Sequence, residues 1–265
     1  MDDIKGRAQK QFGAHAENFV TSVVHAQGES LQRLIGLTQP QPNWIVVDVA
    51  TGGGHNALAF ARHVRSVIAT DLTAPMLIAA RRFIGGSNLS NLSYCRVDAE
   101  LLPFRSESID CVTCRIAPHH FPNVAAFMTE SARTIKPGGL VAIADNVSSG
   151  DSKTAEYTNA LEKLRDPSHH WAYALHEWET FFHDAGLELV TSEVFEKDID
   201  FTDWAGRLGV SGDHAARLKT MIIHAPKQPA KWLNPREAKG RLVFTLREAV
   251  SIGRKTSTST RGPRH

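Results

Sequence analysis

The stretch VVDVATGGGHNALA, Val46 to Ala59, changes its pattern abruptly in the middle. Four of its first five residues are apolar, as in a buried β-strand; three consecutive glycines follow, and helix-forming residues come last. A strand that ends in glycines and restarts as a helix leaves a turn without side chains. There a ligand can reach backbone N–H groups at the positive end of the helix. The stretch therefore predicts a strand, a ligand-binding turn and a helix of an α/β fold.

Strand-like and helix-like segments alternate beyond this stretch. Strands are predicted at 44–49, 66–70, 92–96, 109–115, 140–145, 187–199 and 241–252, and helices at 56–63, 75–83 and 124–135. Strands separated by helices predict a doubly wound sheet. We therefore expect an α/β fold with a mostly parallel, seven-stranded, Rossmann-like sheet and a helical cap.

The 265 residues are enough for one continuous core, and we predict a single domain. Its parts are an N-terminal helical cap (1–42), a cofactor-binding core (43–146) and a lid or insertion (147–185) that is helical up to about residue 185. The segment 186–253 holds the C-terminal strands and a helix at 201–223, and residues 254–265 are expected to form a disordered basic tail.

Composition gives no support to several special classes of protein. With 42% apolar residues, 22% charged residues and a formal net charge of +2, the chain has no mark of disorder, of a membrane span or of a dedicated nucleic-acid binder. No signal peptide is recognisable, and we expect a cytoplasmic protein. Cys111 and Cys114 lie three apart on a predicted strand, so they face opposite sides and are interpreted as core cysteines, not a metal or redox pair.

The glycines fit two kinds of nucleotide ligand. Gly52-x-Gly54-x-x-Ala57, followed by Asp71, satisfies the dinucleotide fingerprint, and this pattern alone does not separate NAD from S-adenosylmethionine. Asp48 just before the turn would repel a pyrophosphate but favour an ammonium group. Asp98, after the third strand, can accept a hydrogen bond from an adenine amino group. Acids at three successive strand ends favour a sulfonium nucleoside.

Five motifs in order now carry a resemblance to a known family. They are DVATGGG (48–54), ATDLTAPM (69–76), VDAELLPF (97–104), SIDCVTCRIAPHHF (108–121) and IKPGG (135–139). Together they resemble class I S-adenosylmethionine-dependent methyltransferases, and are most similar to the ubiquinone and menaquinone C-methyltransferase subgroup. The match covers about residues 44–146. Ala50 stands where the family usually has the first glycine of the loop.

The resemblance implies roles for individual residues around S-adenosylmethionine. Gly52 and Gly54 would let the methionine part pass, Asp71 would hold the ribose hydroxyls, and Asp98 with Ala99 would bind the adenine edge. The full set of expected cofactor-binding residues is Asp48, Ala50, Thr51, Gly52, Gly54, Asp71, Leu72, Met76, Asp98, Ala99, Arg115, Ile116 and Ala117. Thr73 is expected to cap the following helix, which leaves Asp71 for the ligand.

Methyl transfer from a sulfonium is an in-line displacement, so alignment of the acceptor matters most, and a general base helps where the acceptor carries a proton. His119 and His120 follow the fourth strand and are the candidate catalytic bases; a structural role for them is an equally open alternative. C-methylation of a small molecule is favoured, with O- or N-methylation next. We expect no nucleic-acid partner and leave a homodimer open.

No metal is predicted. His176 and Glu177 are adjacent and diverge on a helix, and the acid that metal-dependent relatives carry after the fourth strand is missing, although Asp145-Asn146 resembles two of their ligands.

The aromatic residues between 171 and 182 are interpreted as core more readily than as an acceptor pocket. Phe12, Phe19 and His25 are candidates to close over the cofactor. An NAD-dependent oxidoreductase and a non-catalytic S-adenosylmethionine-binding protein stay as alternatives, the former disfavoured by the lack of an evident Tyr-x-x-x-Lys pair.

Overall fold

The computed structural model describes residues 4–14 and 28–256 of the chain. Its strands are β1 (Ile45–Val49), β2 (Ser66–Asp71), β3 (Leu92–Arg96), β4 (Ile109–Arg115), β5 (Ile135–Asn146), β6 (Leu187–Asp200), β7 (Arg236–Ala238) and β8 (Arg241–Lys255). Its α-helices are α1 (Ile4–Ala14), α2 (Glu29–Thr38), α3 (His55–Ala61), α4 (Ala74–Gly85), α5 (Val124–Thr134), α6 (Ser152–Arg165), α7 (Leu175–Asp184), α8 (Phe201–Gly206), α9 (Gly212–Ile223) and α10 (Lys227–Leu233). Pro118–His120 form one 3₁₀ turn.

The sheet has the strand order β3-β2-β1-β4-β5-β8-β6. Strands β1 to β5 run parallel, and β8 lies antiparallel between β5 and β6. The order reverses at β1, whose Val46 lies opposite Val67 of β2 and Cys111 of β4. The predicted doubly wound, mostly parallel α/β sheet is confirmed, with the short β7 as an eighth strand beside β8.

Apolar residues cover both faces of the sheet because side chains alternate along each buried strand. One face packs against α5 and α7, where Phe127, Trp178 and Phe182 are buried. The opposite face packs against α2, α3 and α4, with Leu34 and Phe60 inside. The two faces take one cysteine each, since Cys114 belongs to the first cluster and Cys111 to the second. Both thiols are free and buried, as predicted for core cysteines.

The segment between β6 and β8 builds a third, smaller core. Both strands extend beyond the central sheet, where α8, α9 and α10 pack on them around the buried residues Trp204, Leu218 and Phe244. Helix α6 joins this core through Leu161. The prediction of one helix over 201–223 is wrong at its centre, because Gly209 takes a φ of 71° and separates α8 from α9.

Several further details of the structure differ from the sequence-based expectations. Residues 166–174 are not helical, in line with the restriction that Pro167 places on the residue before it. Helix α10 and strand β7 were not predicted. Strand β5 begins at Ile135 rather than at residue 140, and β8 continues to Lys255, which pairs with Leu187, so the first two residues assigned to the tail are strand. The remaining tail from residue 257, Phe19 and His25 lie outside the described residues.

None of the helices within residues 4–14 and 28–256 combines the length and the apolar character that a bilayer-crossing helix needs.

Candidate active site

One cavity lies at the carboxyl ends of β1, β2 and β4, beside the point where the strand order reverses. It encloses about 1050 Å³, part of it open to solvent. This is where ligands bind in open α/β sheets. The predicted residues that line it are Asp48, Ala50, Thr51, Gly52, Asp71, Leu72, Met76, Asp98, Ala99, Arg115, Ile116, Ala117 and His120. Gly54 and His119 are absent from its walls.

The two predicted glycines do different things. Gly52 has a φ of 53°, and a Cβ there would meet nothing within 4 Å, so its open side leaves room for a ligand. Gly54 has a φ of 88°, and a Cβ there would lie 2.9 Å from the Ile84 Cδ1 atom of α4. Gly54 therefore allows α4 to approach the turn, whereas Gly52 belongs to the cavity wall.

Asp48 is buried and organises the turn. Its carboxylate accepts hydrogen bonds from the Thr51 hydroxyl at 2.6 Å and from the Asn56 Nδ2 amide at 2.7 Å. Burial raises the pKa of Asp48 to about 6, although these hydrogen bonds and the charge of Arg115 act in the opposite direction. Asp48 therefore fixes the turn through the side chain of Thr51 and through the helix residue Asn56.

Asp71 stands at the end of β2 and is nearly as buried. Its carboxylate accepts the Gly52 N–H at 3.0 Å and the Thr73 N–H at 2.9 Å. Burial raises the pKa of Asp71 against these hydrogen bonds. Thr73 occupies the cap position of α4, but its side chain makes no capping hydrogen bond, so the expected capping role of Thr73 is wrong. Asp71 accepts the N–H of this cap residue and not one from the first turn of the helix. A carboxylate has about four acceptor sites, so Asp71 keeps acceptor capacity for a ligand beside its hydrogen bonds with Gly52 and Thr73.

Helix α1 covers the cavity at the Asp98 end. The Lys5 ammonium lies 2.7 Å from the Asp98 carboxylate and 2.6 Å from that of Glu100. On the same helix, Ala8 and Phe12 also line the cavity, and the Phe12 ring packs edge-on against His120 at 4.8 Å between centroids. The end of the cavity around Asp98, where adenine is predicted to bind, is therefore closed by Lys5 of α1. This helix lies outside the recognised sequence motifs.

Two cavity residues that are not glycine have left-handed backbones. Ala50, which replaces the first glycine of the expected loop pattern, has a φ of 52°. Ile116 has the same φ, which is a strained conformation for a β-branched residue. Ile116 lies between Arg115 and the 3₁₀ turn that carries the histidines. The Arg115 Nε donates a hydrogen bond to the buried Ser30 hydroxyl at 3.0 Å. The strained residue redirects the chain at the edge of the cavity.

The two candidate bases occupy different positions. His120 lines the cavity, and its Nδ1 lies 3.1 Å from the Ser168 carbonyl oxygen. His119 is buried behind it, with its Nδ1 2.6 Å from the Asp145 carboxylate. Burial and the positive charge of His119 lower the pKa of His120 to about 3. The adjacent sequence positions gave no sign of this difference.

The other candidate residues of the lid serve the fold. Glu177 accepts the Ala174 N–H at 2.7 Å and so caps α7, while Trp178 and Phe182 lie in the core. Tyr173 and Phe181 pack edge-on against each other, with 4.9 Å between ring centroids. Across residues 4–14 and 28–256, no cluster of three or more His, Cys, Asp or Glu side chains could hold a metal ion.

Sequence reasoning missed several residues of the cavity wall, among them Lys5, His55, Asn56, Glu100 and Phe121. Glu100 and Phe121 lie inside recognised motifs, and His55 and Asn56 follow one, so these motifs were the available signal. Lys5 carries no such signal, because its position depends on how α1 packs against α4.

Comparisons with known proteins agree with this geometry. A methyltransferase domain family matches residues 47–143. The uncharacterized methyltransferase YcgJ of Bacillus subtilis (strain 168) is 33% identical over 214 residues, 81% of this chain and 85% of the relative. The crystal structure of protein BH2331 from Bacillus halodurans C-125 is 37% identical with a TM-score of 0.83, covering 87% of this chain and 100% of the other. The ubiquinone/menaquinone biosynthesis C-methyltransferase UbiE of Cellvibrio japonicus (strain Ueda107) is 32% identical over 102 residues, 37% of this chain and 41% of the relative.

Proposed function

Because the chain belongs to the class I S-adenosylmethionine-dependent methyltransferases, we propose that it methylates a small organic acceptor, with carbon as the accepting atom, and that the cavity at β1, β2 and β4 is where this occurs. The observation that carries the proposal is the charge of the cavity wall. Four carboxylates, those of Asp48, Asp71, Asp98 and Glu100, face the cations Lys5 and Arg115. An excess of acids suits a ligand with an ammonium and a sulfonium better than the dianionic pyrophosphate of NAD.

The residues present fit S-adenosylmethionine from one end to the other. Asp98 and Ala99 would hold the adenine, Asp71 the ribose hydroxyls, and the open side of Gly52 would pass the methionine part toward Asp48 and Arg115. Leu72 and Met76 would flank the adenine. Arg115 would attract the carboxylate of the methionine part, while Asp48 would attract its ammonium group.

When bound, S-adenosylmethionine supplies a methyl group whose bond to sulfur breaks with the electron pair left on sulfur, while a bond to the acceptor forms and the acceptor gives up one proton. The chain itself aligns the acceptor and excludes water. Phe12, Phe121 and Pro122 give the cavity apolar walls around His120, which suits a ring-like acceptor.

Two observations bear on the accepting atom. The relative UbiE is named a C-methyltransferase, which favours carbon in an activated ring. His120, a neutral imidazole, can also accept a hydrogen bond from a hydroxyl, which makes O-methylation the second candidate. Three free cysteines agree with a reducing compartment, and we propose a cytoplasmic location.

Binding of S-adenosylhomocysteine, measured by calorimetry, tests the site. We expect Asp71→Asn to weaken binding by about 1.5–3 kcal/mol, the range for hydrogen bonds to a charged group. Asp184→Asn is the control, because Asp184 is an exposed acid at the end of α7. Unchanged affinity in a folded Asp71→Asn protein would contradict the ribose assignment, and tight binding of NADH alone would contradict the methyl-transfer proposal.

A further inference from the structure

Asp145, the penultimate residue of β5, holds His119 at two points. One carboxylate oxygen accepts the His119 backbone N–H at 2.8 Å, and the other lies 2.6 Å from its Nδ1. Asp145 is 2% exposed and His119 is 7% exposed. The His119 carbonyl in turn accepts the backbone N–H groups of His170 and Trp171 at 2.9 and 3.0 Å. Asp145 therefore fixes the 3₁₀ turn against the loop at 166–174.

The Asp145 contact also sets the charge of His119. Burial lowers the pKa of His119, but the charge of Asp145 and its hydrogen bond outweigh burial, and the pKa is raised overall. Among the described residues, Glu162 of α6 and Asp166 of the following loop add to this effect. The buried Asp145 side chain therefore favours the imidazolium form of His119.

His120 packs directly on the His119 ring, with 4.1 Å between ring centroids. Its Nδ1 lies 3.1 Å from the Ser168 carbonyl oxygen, which only accepts, so Nδ1 carries the hydrogen and Nε2 of the neutral ring is an acceptor. The other groups facing it among the described residues are Asp166 and Arg165, with the His169 ring at 6.4 Å. A neutral ring does not repel a sulfonium.

We propose that Asp145 is a positioning residue for methyl transfer: through His119 it keeps His120 neutral and oriented, so that Nε2 accepts a hydrogen bond from an acceptor that carries an O–H or N–H group at or beside the reacting atom. The inference rests on the proposed function, because it needs the sulfonium to lie in the cavity that His120 lines. Neither His119 nor Asp145 lines that cavity. His120 alone of the three would touch the acceptor.

Imidazole NMR of the whole chain tests the electrostatic part without any acceptor. In the wild type we expect His119 to keep its second proton to a higher pH than an ordinary imidazole, and His120 to stay neutral down to below pH 5. Asp145→Asn removes the charge that holds the His119 proton, so the titration midpoint of His120 should rise by at least one pH unit. If Asp145→Asn does not fold, His119→Gln removes the same cation and should give the same shift. An unchanged midpoint in the folded variant would overturn the proposal, as would a wild-type His120 that titrates near pH 6.5.

The affinity ratio of S-adenosylmethionine to S-adenosylhomocysteine tests the position of His120. Both ligands carry the ammonium group, but only the first carries the sulfonium. In Asp145→Asn, at a pH between the His120 titration midpoints of the variant and the wild type, a protonated His120 should weaken binding of S-adenosylmethionine several-fold more than binding of the homocysteine product, and the wild type at the same pH should show no such difference. A variant ratio equal to the wild-type ratio overturns the positioning role. Failure of the wild type to bind either ligand would instead overturn the proposed function, so the two failures are distinguishable.

Discussion

Asp48 is a carboxylate enclosed by protein, and its ionisation depends on what the cavity contains. Thr51 and Asn56 stabilise its charged form by hydrogen bonds, but burial is the larger influence and raises its pKa to about 6. Between about pH 4 and pH 6 the folded protein keeps a proton that the unfolded chain has lost. Its contribution to the free energy of unfolding is therefore largest below pH 4 and is lost as the pH rises through 6.

A cationic ligand reverses that preference, because it favours the ionised form of Asp48. We expect the affinity for S-adenosylmethionine to fall by about fourfold between pH 7.5 and pH 5.5, where a group of pKa about 6 is mostly protonated. Calorimetry at the two pH values measures the change. Asp48→Asn should bind more weakly at pH 7.5 and lose most of the pH dependence, and a variant that keeps the full dependence would contradict the role of Asp48.

The acidic residues of the cavity wall could be predicted from the sequence. Asp48, Asp71 and Asp98 lie there because each stands at or just after the end of one of three parallel strands. It could not separate His119 from His120, because their difference arises from one turn of 3₁₀ helix and from Asp145, which is 26 residues away. Nor could it separate Gly52 from Gly54. Only the approach of Ile84 shows that Gly54 serves packing.

Strands were more predictable than helices in this chain. Strands β3 and β4 have the predicted bounds. Strand β4 is buried along most of its length and is therefore mostly apolar, whereas β3 is a partly exposed edge strand that was recognisable from its place in the alternation of strands and helices. The helices after β5 were harder, since their apolar residues serve the separate core around Trp204 and Phe244. The short α10 and β7 depend on contacts with β8 rather than on local pattern.

Two glycines show how packing between elements decides the effect of one methyl group. A Cβ at Gly253 of β8 would lie 2.3 Å from the Phe182 ring of α7, which is fully buried, so we expect Gly253→Ala to destabilise the fold by about 1–3 kcal/mol. Gly36 lies within α2, and a Cβ there meets nothing within 4 Å, so Gly36→Ala should stabilise by about 0.5–1 kcal/mol. Urea unfolding measures both, and equal effects of the two substitutions would show that the α7–β8 packing is wrong.

The cavity lies between the carboxyl edge of the sheet and helix α1, which is distant from the recognised motifs in sequence. Helix α1 reaches the cavity through Lys5, Ala8 and Phe12, and its Gln9 side chain approaches the Leu72 carbonyl. The ion pairs of Lys5 are about one third exposed, so each contributes little to stability on its own. A bound ligand would add contacts to α1 that the sheet alone does not supply.

Amide hydrogen exchange should therefore respond to the ligand in α1. We expect S-adenosylhomocysteine to slow exchange in peptides that cover residues 4–14, because three of their side chains line the cavity. Peptides from α9, which contributes nothing to the cavity wall, serve as the internal reference. Exchange in α1 that is the same with and without a saturating ligand would argue against the placement of this helix.

The position of β8 has a consequence for synthesis on the ribosome. Strand β6 pairs only with β8 among the described strands, yet β8 is made last of them and inserts between β5 and β6. The half of the sheet that carries the glycine turn can assemble while the rest is being translated, but β6 must wait with an open edge until β8 emerges. A nascent chain stalled before β8 would hold a finished nucleoside crevice beside an exposed, unpaired β6, a form that chaperones would be expected to recognise.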